Sequence, residues 1–299
     1  MNFSEKLKAK RKEFGMSQEQ LAEKIGVSRQ AITKWETDAG MPDIGNILSI
    51  ASLFNTSVDE MLSSEKQLKN DNGFFYESTT EYDIDSKKHY DIKIGGAYEI
   101  IMDTNDGEKL RIKLGSNIIP ELEKLLKVKI DEGKNNVDVD LRRSTELTEA
   151  QMKEGLRVFV SIPKKYIKGV ELATRASILR LSGIEAKNIE LDGRVSQIYV
   201  NEVKGFVELN SAVDSTIVCE NLSGSIGVNQ ISCTSVLHIP RGTQYKVKKK
   251  GASNRCSYTV DGKAAQPPDY PEAEDIIRLT GLNSELVINE CSNILEVRS

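Results

Sequence analysis

Histidine, cysteine and tryptophan are scarce in this chain: two, four and one among 299 residues. His89 and His238 have no cysteine or carboxylate at ligand spacing, so no metal site is expected. His238 falls on an outward strand position and reads as plain surface. Cys219, Cys233, Cys256 and Cys291 lie far apart with no C-x-x-C pair. Free thiols in a cytoplasmic chain are the simple reading, with a redox switch as the alternative. No apolar run is long enough to span a membrane, so no membrane partner is expected. The sequence opens directly on a helical pattern, without a signal peptide. There is no phosphate-binding glycine loop, no expected cofactor and no catalytic constellation, so the chain does not read as an enzyme. Acidic residues slightly outnumber basic ones, for a net charge of −4. Any nucleic-acid contact must therefore come from local charge.

What is present begins at residue 3. Phe3 to Phe14 forms a basic amphipathic pattern with Leu7 facing inward and Gly15 ending it. Ser17 is an N-cap and Gln20, three residues on, completes a capping box. Leu21, Ala22 and Ile25 share one helical face. Gly26 suits the left-handed residue that ends a helix, and Val27 plugs the corner. Ser28 caps again, and Ile32 and Trp35 supply an inner face. Two short helices joined by a tight turn make the motif that places a helix in the DNA major groove. Pro42 suits a first helical turn, Ile44, Ile47, Leu48, Ala51 and Phe54 form a stripe, and Ser57 caps a last helix through Val58, Met61 and Leu62. The expectation is five helices in an all-α domain over residues 1–64. Residues 1–34 carry eight basic and four acidic side chains, whereas 35–65 carry six acids and no base.

Gln18, Ala22, Gly26, Ile32 and Trp35, with Pro42-Asp43-Ile44 and the run Phe54 to Leu62, resemble the Cro/XRE-like (phage-repressor type) helix-turn-helix domains. The resemblance covers a fifth of the chain. It implies that the second helix of the motif enters the major groove. The outward residues there are Arg29, Gln30, Thr33 and Lys34. Arg can bond guanine O6 and N7, and Gln can bond adenine N6 and N7; a phosphate contact is the duller role for Lys34. Gln18 is carried over as a phosphate contact at a helix N-terminus. Arg11 is a further phosphate candidate, with a salt bridge as its alternative. Ser17, Ser28 and Thr37 are weaker ones, and Ser28 reads first as a cap. The implied partner is double-stranded DNA bound by a homodimer, with repression the commoner outcome.

Residues 65–90 are polar and read as a linker. From 91 to 299 the pattern is mainly β. Tyr98–Met102 and Leu110–Leu114 flank Asn105-Asp106-Gly107, a hairpin signal. Ile118 to Leu126 suits a short helix, and Val128–Ile130, Val137–Leu141 and Leu156–Ile162 suit strands. A repeat of about 19 residues then runs near 170–240. Leu179, Ile198, Ile217 and Leu237 align, as do Leu181, Val200, Cys219 and Ile239. Coils that cannot bury their apolar positions alone must stack, which points to a β-solenoid with Cys219 as core filler. This pattern, with the closing run Leu279 to Ile288, resembles adhesin-like β-solenoid domains, which imply no catalytic residues. Lys246 to Lys250 reads as a strand edge that discourages pairing, with a second polyanion contact as the alternative. A glycan-active enzyme would need carboxylates clustered along one strand position, and none is evident in the sequence.

The expected function is a sequence-specific DNA-binding transcriptional regulator. Its β domain would dimerise, or bind a small-molecule or protein effector. The alternative is an interaction scaffold or antitoxin-like regulator whose β domain holds a protein partner.

Overall fold

The computed structural model describes residues 3–37, 39–54, 56, 73–294 and 297. The chain divides into two compact units, Met1–Phe75 and Tyr76–Ser299. In the first, helices α1 (Phe3–Glu13), α2 (Gln18–Ile25), α3 (Arg29–Glu36) and α4 (Ile44–Leu53) close around one core. Phe3, Leu7, Leu21, Ala22, Ile32, Trp35, Ile50, Ala51 and Phe54 form it. The fifth helix expected from Ser57 lies outside the described residues. Pro42 precedes the cap of α4 rather than lying in its first turn, because the Asp43 side chain accepts from the Asn46 N–H. Leu48 is exposed and Ile50 takes its place in the core.

The β unit starts earlier than the polar composition suggested. Strand β1 (Tyr76–Asp83) pairs with β3 (Lys109–Ser116), and β2 (Lys88–Asn105) is already in place before residue 90. The linker expected over 65–90 is corrected accordingly. Strand β1 lies on an antiparallel edge and buries little, so its sequence is polar. The expected hairpin at Asn105–Gly107 is also corrected. Strands β2 and β3 do not pair with each other. Strand β6 (Arg157–Pro163) lies between them, parallel to β2 and antiparallel to β3. Asn105 braces the turn, accepting from the Gly107 N–H and donating to Lys109 O.

Two parallel ladders then run through the unit. The first joins β5 (Asn136–Arg143), β2, β7 (Ile167–Ser182), β8 (Glu185–Gly193), β10 (Val203–Ser211), β13 (Ile226–Ile231), β18 (Ile276–Leu282) and β15 (Lys246–Ala252). The second joins β6, β2, β7, β9 (Gln197–Asn201), β11 (Ser215–Cys219), β14 (Thr234–Pro240), β19 (Glu285–Cys291) and β16 (Arg255–Val260). Inward positions stack in register. Val139, Ile92, Leu172, Leu191, Leu209, Val228 and Leu279 make one column, all buried. Leu179, Ile198, Ile217, Leu237 and Ile288 make another, as the repeat indicated. Each such side chain contributes about 1.5–3 kcal/mol by leaving water.

The far end departs from chain order. Strands β18 and β19 insert between the β13–β14 coil and the β15–β16 coil, pairing on both sides. Strand β15 therefore forms the edge. Lys249 occupies the column held by Leu279 one coil earlier, and it is exposed. An inward lysine on an outermost strand stops the column from continuing. Cys219 is buried, and burial pushes its thiol up to about 12, so it is a core filler rather than a nucleophile. His238 is not plain surface. It is half-buried, with Nδ1 3.0 Å from Asn289 Nδ2, and burial lowers its pKa.

The C-terminal end of β18 demands glycine. Gly281 has φ +136, and an added Cβ would lie 1.8 Å from the Gln230 carbonyl oxygen. Gly281→Ala should destabilise the β unit by about 2 kcal/mol or more, read by chemical denaturation with far-ultraviolet circular dichroism. Gly95→Ala, where a Cβ meets nothing within 4 Å, should stay within about 0.5 kcal/mol of the parent. Equal effects at both sites would refute the close-approach argument.

Candidate nucleic-acid interface

The α2–turn–α3 geometry follows from local chemistry. The Ser17 hydroxyl accepts from the Gln20 N–H at 3.2 Å while the Gln20 side chain accepts from the Ser17 N–H at 2.8 Å. Gly26 takes φ +75 and sends its N–H back into the last turn of α2. Ser28 then caps α3 through the Ala31 N–H at 3.2 Å. Ile32 and Trp35 turn inward. That leaves Arg29, Gln30, Thr33 and Lys34 exposed together on the opposite side of α3.

Beneath this face lies a polar knot that sequence reasoning missed. Glu36, at the end of α3, has a side chain only 2% exposed. It accepts from Arg11 Nε at 2.5 Å and Nη2 at 2.9 Å, and from Gln18 Nε2 at 2.9 Å. Arg11 also donates to the Met16 carbonyl at 2.8 Å. The Thr33 hydroxyl lies beside the knot, 3.2 Å from Gln18 Oε1 and 3.1 Å from the Arg29 carbonyl, its one proton shared between two acceptors. Burial by itself would raise the Glu36 pKa, but the hydrogen bonds from Arg11 and Gln18 outweigh it and hold it below the usual carboxylate range. A signal did exist: Glu36 follows inward Trp35 and is the first acid after the basic segment.

The knot engages Arg11, whose guanidinium bonds Glu36 and the Met16 carbonyl, the salt-bridge alternative. Thr37 bonds back into its own helix. Its hydroxyl donates to Thr33 O at 2.8 Å and its N–H is also bonded to Thr33 O. Ser17 and Ser28 use a lone pair in capping and keep an O–H to donate. Gln18 keeps one amide hydrogen beyond its bond to Glu36. Arg29 lies 3.7 Å from Glu19, both largely exposed, a pair that water screens heavily. Among the described residues, no group of three or more His, Cys, Asp or Glu is placed to hold a metal, and no helix is long and apolar enough to cross a membrane.

Residues 7–61 match the family described as helix-turn-helix, so this segment is a helix-turn-helix domain. Over 66 residues the chain is 44% identical to the HTH-type transcriptional activator BcrR of Enterococcus faecalis, covering 22% of this chain and 32% of that protein. The chain thus spans about a third of that relative's length. The P22 c2 repressor, solved in complex with a synthetic operator, is 30% identical; the match covers 21% of this chain and 96% of that one, with a TM-score of 0.21. A structure from Clostridium sporogenes, described as a candidate cell adhesion protein, covers 72% of this chain and 100% of its own at 9% identity and a TM-score of 0.36.

The Glu36 knot gives the domain an acid limit. A carboxylate whose folded pKa is lowered stabilises fully above its unfolded value, near 4.5. That contribution is lost as pH falls through the lower folded value. The fluorescence of Trp35, the chain's single tryptophan, reports this unit alone. Acid unfolding by this probe should begin below about pH 4.5. Glu36→Leu should cost about 3 kcal/mol at neutral pH, because Arg11 is left without its partner. It should also flatten the acid limb. An unchanged acid profile in that variant would remove Glu36 as the cause.

Proposed function

We propose that this protein is a sequence-specific DNA-binding transcriptional regulator that acts as a homodimer in the cytoplasm. The observation that carries this reading is the single exposed polar face of α3, held in place by capped helix ends and the buried Glu36 knot. Arg29 and Gln30 read base edges, Lys34 and Thr33 complete the groove contact, and Ser17, Gln18 and Ser28 hold phosphate near the N-termini of α2 and α3. One recognition helix reads few base pairs. Two helices about 34 Å apart on a palindrome supply useful specificity. A dimer seated on a promoter excludes competing proteins, so repression is its direct action.

We read the two parallel ladders of the β unit as a β-solenoid that joins the subunits and presents surface to an effector. The likeness of residues 7–61 to known regulators supports the DNA-binding half of this proposal. The in-register stacking of inward columns supports the solenoid reading.

Selection of genomic fragments bound by the purified full chain, at two salt concentrations, tests the reading. A palindromic site should emerge. Arg29→Ala/Gln30→Ala should weaken binding to it by at least about tenfold, since each bidentate base contact is worth about 1–3 kcal/mol. The affinity should fall with salt, but shallowly, because few phosphates are neutralised per subunit. Sequence-blind binding that the double variant leaves intact would sink the assignment.

A further inference from the structure

One outward column of the first ladder carries its charges in two blocks, with Lys93 and His89 standing beside its acidic end. Asp138, Asp91, Glu171, Glu190 and Glu208 stand in register on neighbouring strands. The column continues through Gly227 to Arg278 and Lys248. The absence of carboxylates clustered along one strand position, expected from the sequence, is therefore corrected; the cluster appears only once the register is known. Neighbouring strands lie about 4.8 Å apart, and like charges set side by side at that spacing destabilise a sheet. Each of the five has a neighbour: Asn136 donates to Asp138 at 2.9 Å, Lys93 to Asp91 at 3.4 Å, Asn210 to Glu190 at 2.8 Å and Asn229 to Glu208 at 2.6 Å, and His89 Nε2 lies 4.0 Å from Glu171. Even so, burial and then Asp91, Glu190 and Asp192 push the Glu171 carboxyl above its usual range. At the other end Arg278 lies over the Phe206 ring, 5.4 Å from its centroid.

A face with an acidic block and a basic block is complementary to itself when turned end for end. We propose that a second copy of this chain docks here, the two sheets stacked about a two-fold axis passing between Glu208 and Gly227. About this axis Arg278 of each copy lies opposite Glu190 of the other, and Lys248 opposite Glu171. The inference rests on the dimeric regulator proposed above and names the surface that joins its subunits. Ile231 and Leu282, in register and 65% and 51% exposed, border the basic end and give it an apolar margin. A nucleic acid is the poorer occupant, because the acids on this face outnumber the bases and would repel a polyanion. Six overlapping strands bury on the order of 1,000 Å² in total, the size of a weak, reversible interface.

The test is sedimentation equilibrium of the full chain without DNA, at low and high salt, with circular dichroism to check folding. The wild type should dimerise at low salt and dissociate as salt screens the pairs. Glu171→Lys/Glu190→Lys makes the column wholly basic at the paired coils. Arg278→Glu/Lys248→Glu makes it wholly acidic. Each variant alone should associate at least about tenfold more weakly than the wild type, and an equimolar mixture of the two should form a heterodimer. Wild-type protein that stays monomeric, variants that dimerise normally, or a mixture that stays monomeric would overturn the proposal. So would an unchanged oligomeric state coupled to lost sequence-independent DNA binding in Arg278→Glu/Lys248→Glu; that result would assign the basic end to a polyanion. Arg29→Ala/Gln30→Ala should dimerise as the wild type does. A failure of base reading is thereby distinguished from a failure of this interface.

Discussion

No coil of the β unit can bury its own apolar side chains, because each supplies only one layer of them. The register between coils is therefore the constraint on which the rest depends. Leu172, Leu191, Leu209, Val228 and Leu279 are dry because each lies directly beside the next. A slip by one residue would turn those side chains to water and the facing carboxylates inward. The same register puts Gly193 and Gly281 where adjacent backbone approaches too closely for a Cβ. It also gathers Glu171, Glu190 and Glu208 on the outer face.

The helical unit meets its small size differently. Nine apolar residues make its core, and a buried ionic knot ties α1, α2 and α3 at one point. Such a knot adds little net stability, because desolvating the charges offsets much of their attraction. What it fixes is orientation. Glu36 accepts from Gln18 and Arg11, and Arg29, Gln30 and Lys34 are left on the outside of α3.

The helical motif was legible in the sequence because its signals are local. Ser17, Gln20, Gly26 and Ser28 act within four residues of themselves. Glu36 and Arg11 were not legible as a pair, since 25 residues separate them and a basic run looks the same whether or not one arginine is buried. In the β unit the repeat revealed the columns, because apolar positions recur at fixed spacing. It could not reveal that β18 and β19 insert ahead of β15 and β16, since a column of similar residues carries no order of assembly. The early start at Tyr76 was hidden for a related reason: an edge strand exposed to water needs no apolar pattern.

The insertion of β18–β19 bears on how the chain is made. Strands β15 and β16 emerge from the ribosome before the only long strands they pair with. The end of the stack therefore waits open, with Val228 and Leu237 uncovered, until residues 276–291 arrive and close it from between. A chain that stopped short of that segment would leave the Val228 and Leu237 ends of both columns without the neighbours that cover them, instead of forming a slightly shorter stack.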